Sequence, residues 1–199
     1  QSVTASFGDV PEPDLIITAQ PPVVTASTEA TIDFSTNFID PLYTCQVDDE
    51  EPATCTPPLQ LSWLTKGQHT VVIRATRPAD DAQDIETVEW TVDMSAPETA
   101  IVTAPEVITW STSALIEFTS DEALVTFTCR HQGPHGPGVW FPCDSPLMLN
   151  ELQPGWHTVS VYATDSAGNV DLTPAQTTWQ ARNLNTVILT GPPEESTAP

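Results

Sequence analysis

Positive charge is the scarcest commodity in this 199-residue chain: Lys and Arg together number 5, Lys66 is the single lysine, and 27 Asp and Glu leave a net charge of −22. So acidic a surface repels phosphate backbones and anionic headgroups, which argues against nucleic-acid and membrane-surface binding. Long hydrophobic runs are missing too. Nothing approaches the ~18–20 apolar residues of a membrane-spanning helix, so no membrane insertion is expected of this segment. Gln1 is followed directly by polar residues rather than by a signal peptide, so export would rely on a leader already removed or lying upstream. There is no Asn-x-Ser/Thr sequon, hence no expected N-glycosylation, although Ser196-Thr197-Ala198-Pro199 is compatible with O-glycosylation. Nucleophile elbows, phosphate-cradling glycine loops and metalloprotease motifs are likewise absent, and no pair of carboxylates is singled out for catalysis. The chain is expected not to be an enzyme.

What is present is a stretch that occurs twice. Gly67, His69, Thr70, Val71, Ala75 and Thr76 recur in the same order as Gly155, His157, Thr158, Val159, Ala163 and Thr164, with Ile73 exchanged for Val161. After the His, both copies alternate apolar and polar residues, the period of a strand buried on one face. Val71, Ile73 and Ala75 should point inward, with Val159, Val161 and Ala163 as counterparts. Thr158, Ser160 and Tyr162 should face out. The 20 Pro and the acidity would suit a disordered chain, but 39% hydrophobic residues in regular alternating runs speak against it.

The duplication divides the chain. Residues 1–13 read as the tail of a preceding repeat and a linker. A first domain spans residues 14–96 and a second spans residues 97–183, with corresponding points about 84 to 89 residues apart. Residues 184–199, through Thr186-Val187-Ile188-Leu189, read as the start of a truncated third repeat. Each copy offers about seven short strands with turn signals between them and no helical periodicity. This predicts an all-β chain of tandem Ig-like β-sandwiches in an elongated array. Four cysteines fall as Cys45 with Cys55 and Cys129 with Cys143, one local pair per domain. Three connectivities are formally possible; the matching placement favours the local one and an oxidising compartment.

Several runs resemble known repeats. Leu152-Gln153-Pro154-Gly155-Trp156-His157-Thr158-Val159 resembles the fibronectin type III run that leads into its sixth strand. Ala96-Pro97-Glu98-Thr99, Phe127-Thr128-Cys129, Cys143-Asp144-Ser145-Pro146-Leu147 and Ala163-Thr164-Asp165-Ser166-Ala167-Gly168-Asn169 resemble the Ig-like repeats of large secreted and cell-surface proteins, abundant in bacteria and also found in protists and algae. Module one departs where Arg77-Pro78-Ala79-Asp80-Asp81 replaces the Gly-Asn turn. The resemblance implies an extracellular or cell-surface protein.

Candidate sites follow from what recurs and what does not. His69 and His157 stand where such domains place a tyrosine whose side chain bonds nearby backbone, so they are expected to be structural rather than catalytic. Trp90 and Trp179 close the two modules and are expected in the cores. His131 and His135 with Cys129 and Cys143 make a local Cys₂His₂ set, but module one keeps its cysteines without such histidines, which favours a disulfide over zinc. No cofactor is expected; calcium is the one candidate, through Asp93, Glu98, Asp165 and Asp171. Asp48-Asp49-Glu50-Glu51 reads as a solvated hairpin tip. Trp140 and Phe141, in the broadened Cys129–Cys143 hairpin and without a counterpart in module one, and Trp110, which stands where module one has Ala26, form a possible contact surface.

The composite expectation is a disulfide-stapled, semi-rigid spacer or assembly segment of a surface filament, appendage, stalk or adhesin. Its partners would be neighbouring repeats of the same chain and like chains in a filament. The alternatives are a glycan- or protein-binding module, or accessory domains of a secreted hydrolase.

Overall fold

The computed structural model describes residues 14–183, so the expectations for residues 1–13 and 184–199 lie outside the described residues. Among these residues every regular element is a strand. The chain divides into two compact units between Ala96 and Pro97, with the turn Asp165–Val170 grouped with the first unit rather than with the second domain assigned to it from sequence.

The first unit is a sandwich of two sheets. β1 (Leu15–Ala19), β3 (Ala30–Thr36) and β6 (Leu59–Leu61) form a three-stranded sheet in the order β1-β3-β6. The second sheet runs β2 (Val24–Thr25), β8 (Ala82–Val92), β7 (Gly67–Arg77), β4 (Leu42–Val47), β5 (Ala53–Thr54). The opening stretch of sequence is β7, at the centre of the larger sheet. Its buried positions, His69, Val71, Ile73 and Ala75, alternate with less buried ones as the pattern predicts. They meet Ile32 and Phe34 of β3 across the sandwich, with Trp90 and Val92 of β8 beside them. Each large apolar side chain so buried contributes about 1.5–3 kcal/mol by removal from water.

The second unit repeats this order strand for strand. β11 (Ala114–Ser120) lies between β14 (Leu147–Leu149) and β9 (Thr99–Thr103). The larger sheet runs β10 (Ile108–Thr109), β16 (Ala175–Ala181), β15 (Gly155–Thr164), β12 (Thr126–Gln132), β13 (Trp140–Cys143). Ile116, Phe118, Val159, Val161 and Trp179 form its core. Even the aromatic pairs match: Phe34 meets Tyr43 edge-on at 5.0 Å, and Phe118 meets Phe127 at 4.9 Å.

Both disulfides are local. Cys45 bonds Cys55 and Cys129 bonds Cys143, each clipping the outermost hairpin of its larger sheet. Closing loops of 10 and 14 residues stabilises each unit by roughly 2.5–3 kcal/mol through the entropy removed from the unfolded chain.

The closing strand of the first unit begins at Ala82, directly after a tight turn over residues 78–81. There Arg77 grips Asp80 through Nε at 2.7 Å, and Asp81 takes a positive φ of 58°. Ser160 sits on the outward side of β15 as expected, yet it is fully buried.

Candidate functional site

Glycine at the start of β7 and β15 (φ 138° and 143°) delivers the next residues but one, His69 and His157, into the interior. Each His is buried against the closing tryptophan of its unit, with ring centroids 5.6 Å apart for His69–Trp90 and for His157–Trp179. Each also ties its Nε2 to the carbonyl of the residue four positions earlier: Thr65 at 2.8 Å for His69, Gln153 at 2.8 Å for His157. Such a bond pins the loop that enters the strand to the sandwich interior.

The other ring nitrogen is where the two units part. In the first, Nδ1 of His69 lies 2.8 Å from a carboxylate oxygen of Asp48, whose second oxygen accepts the backbone N–H of Thr70 at 2.8 Å. A carbonyl and a carboxylate only accept, so this pair of partners favours the imidazolium form of His69, with hydrogen on both ring nitrogens. Burial pulls its pKa down, but the Thr65 carbonyl and the Asp48 carboxylate outweigh burial and hold it above the ordinary value. Asp48 is therefore a structural partner, not merely part of a solvated hairpin tip.

In the second unit the position of that carboxylate is taken by Gln132, and a second imidazole does the work. His131 Nε2 lies 2.9 Å from His157 Nδ1, with the rings stacked at 5.2 Å and 13°, and both stack on Trp179. Only one of the facing nitrogens can carry hydrogen. Burial first, and then repulsion from His157, pushes the pKa of His131 below its ordinary value. Beside the pair is an open cleft of about 330 Å³ lined by His131, Gly133, Pro134, His135 and Leu152. The cysteines of the Cys₂His₂ set are committed to their disulfide, so they offer no thiolate to a metal.

The four carboxylates considered for calcium are each engaged locally. Asp93 accepts the Ser95 N–H at 3.0 Å and lies 3.4 Å from Lys66. Asp165 caps its own turn, accepting the backbone N–H and the side-chain amide of Asn169 at 2.8 Å each. Asp171, almost fully buried, accepts the N–H of Thr99 at 3.0 Å and of Thr173 at 2.7 Å. Burial would raise its pKa, and these hydrogen bonds more than reverse that. Glu98 takes the hydroxyl of Thr173 at 3.1 Å.

Of the aromatic candidates, Trp110 is half exposed and Trp140 somewhat less so. Phe141 points to the opposite side of β13 and packs on the core, so it is not part of that exposed set. Two further tryptophans are exposed without having been singled out by motif: Trp156, more than half exposed on β15, and Trp63, the most exposed tryptophan, held at a φ of 62° in a loop. The signal for Trp156 was available: it holds an outward position of the duplicated strand where the other copy has Gln68.

No protein-family model and no curated protein matches the chain. Among solved structures, the fold is similar to the fibronectin(III)-like modules of Clostridium thermocellum CbhA, at 14% identity and a TM-score of 0.48 over 85% of this chain and 95% of that one. It is also similar to a 1.5-MDa bacterial ice-binding adhesin (13%, 0.47, 87% of this chain and 65% of that one). A third likeness is to the FN1–FN3 domains of chicken CNTN1 (13%, 0.44, 86% and 69%). The strand order and paired sheets of each unit make this an all-β chain of two sandwich units.

Proposed function

We propose that the chain is a non-enzymatic structural repeat segment of a long extracellular protein, a spacer or assembly module in a surface filament, appendage, stalk or adhesin. The observation that supports this most is the repetition of one internal framework. Both units carry the same sheet order, the same buried His on the same strand, the same closing Trp and a disulfide on the same hairpin. What is duplicated is the support of the fold, and what varies lies on its outside. The recurring histidines are engaged inside the sandwich by backbone carbonyls and by Asp48 or His131, which suits a peg and not a general base. Two disulfides and no free cysteine suit an oxidising, extracellular setting.

The test is labelling of intact, unpermeabilised source cells with an antibody to the folded chain, together with the sequence of the parent transcript. The proposal expects surface label and further copies of the module without a catalytic domain. Label seen only after permeabilisation, or a hydrolase domain in the same chain, would overturn it.

A further inference from the structure

The outward side of the larger sheet differs between the units in a way that the repeat framework does not require. In the second unit, Trp156 on β15 is paired with Gln180 on β16, which is paired in turn with Ile108 on β10. Directly paired residues share a face, so Trp156, Gln180 and Ile108 lie side by side, with Trp110 and Arg182 two residues further along their strands. A shallow hollow lined by Trp110, Pro154, Gln180 and Arg182 opens there, and Arg182 Nε donates to Gln180 Oε1 at 3.0 Å. Six residues along β15, about 20 Å away at the usual strand rise, the same face carries Tyr162 against the ring of Trp140 at 4.9 Å. The Arg130 guanidinium lies over that Trp140 ring at 4.6 Å.

Three features of this face point to a ligand. It presents aromatic rings at both ends, whereas the first unit has Gln68 at the place of Trp156, Arg74 at that of Tyr162 and Ala26 at that of Trp110. It also carries two of the chain's 5 cationic side chains and, at its strand positions, no Asp or Glu, in a protein with 27 of them. Neither Arg130 nor Arg182 is paired with a carboxylate among the described residues. Finally, Arg130 Nε has no hydrogen-bond partner among the described residues. Unsatisfied buried polar groups are uncommon in proteins and call for a functional explanation.

We infer that this face binds a uronate-bearing polysaccharide. The apolar C–H faces of sugar rings stack on Trp110, Trp156 and Trp140, and the guanidinium forks of Arg182 and Arg130 take carboxylates in the two-pronged geometry they favour. The overall charge of −22 opposes a densely charged polymer. A chain in which carboxylates are interspersed with uncharged sugars suits two guanidiniums set well apart between aromatic platforms. The first unit, with the same fold and none of the rings, is a built-in control.

The experiment is affinity electrophoresis of the full chain through gels containing partly methyl-esterified homogalacturonan, fully esterified homogalacturonan or dextran sulfate. The inference expects retardation by the first. It also expects a loss of roughly ten-fold in affinity with full esterification or with Arg182→Gln, the equivalent of one charge-assisted bond. The double variant Trp110→Ala/Trp156→Ala should abolish retardation, while Gln68→Ala on the first unit should leave it unchanged. Near-ultraviolet circular dichroism establishes that the variants are folded; these side chains are exposed and outside the core. Absence of retardation, equal retardation by the fully esterified polymer, stronger retardation by dextran sulfate, or retention unaltered in the folded double variant would each overturn the inference.

Discussion

Replacing Asp48 with Asn tests the charge state assigned to His69 with little change in shape. The amide oxygen of Asp48→Asn can still accept the Thr70 N–H, and its NH₂ can donate to an unprotonated Nδ1 of His69. What it cannot do is hold the imidazolium. A hydrogen bond to a charged group contributes about 1.5–3 kcal/mol. The Asp48 side chain is 39% exposed, so solvent screening brings the expected contribution down to about 1–2 kcal/mol. The sign follows from linkage. The folded-state pKa of His69 is raised, so its contribution is complete below the unfolded value near 6.5 and is lost as pH rises through the folded value. The assay is scanning calorimetry of the wild-type chain and of Asp48→Asn at pH 5.5 and pH 8.5, reading the difference between the proteins at each pH. Taking that difference cancels the general relief of acidic repulsion at low pH. At pH 5.5 the variant should lower one transition by on the order of 5–10 °C, given the size of the unit. At pH 8.5 the gap should largely close. A deficit of the same size at both pH values would refute the doubly protonated His69.

The second unit should answer pH in the opposite direction. His131 is pushed below its ordinary pKa, so its contribution to stability is complete above the unfolded value near 6.5 and is lost as pH falls through the folded value, with the Asp171 contribution lost at still lower pH as its carboxylate is protonated. His131→Phe should flatten the first of these steps in a calorimetric pH series. Gly155→Ala should cost clearly more than Gly67→Ala in chemical denaturation. Both adopt a positive φ that a side chain strains, about 1–3 kcal/mol, but only at Gly155 would a Cβ meet Pro134, 2.5 Å away. Mild reduction should lower the denaturation midpoint of each unit by an amount equivalent to roughly 2.5–3 kcal/mol, without loss of the β-sheet circular dichroism signal at 25 °C.

Much of this was readable in the residues because it rests on local period and on repetition. Alternation in Val71, Ile73 and Ala75, and its echo in Val159, Val161 and Ala163, is the direct imprint of a strand with one buried face. Duplicate placement of cysteines and histidines pointed to the hairpin clip and the internal peg. What could not be read depends on side chains far apart in sequence. Asp48 and His69 are 21 residues apart and His131 and His157 are 26 apart, and no period connects them. Ser160 is a further case: its outward parity was legible, but its burial was not. The outward face of Trp156, by contrast, is legible from parity alone, because it is in phase with Thr158, Ser160 and Tyr162.

The central claim is that the chain is built of repeated, separately folded units whose hairpins are clipped by disulfides, and single-molecule force extension tests it most directly. Pulled from its ends under oxidising conditions, the full chain should show two unfolding events. Repeating the measurement after reduction should lengthen one event by about 35 Å and the other by about 50 Å, the extended lengths of the 10- and 14-residue loops released. A single cooperative event, or extensions unaffected by reduction, would contradict the account.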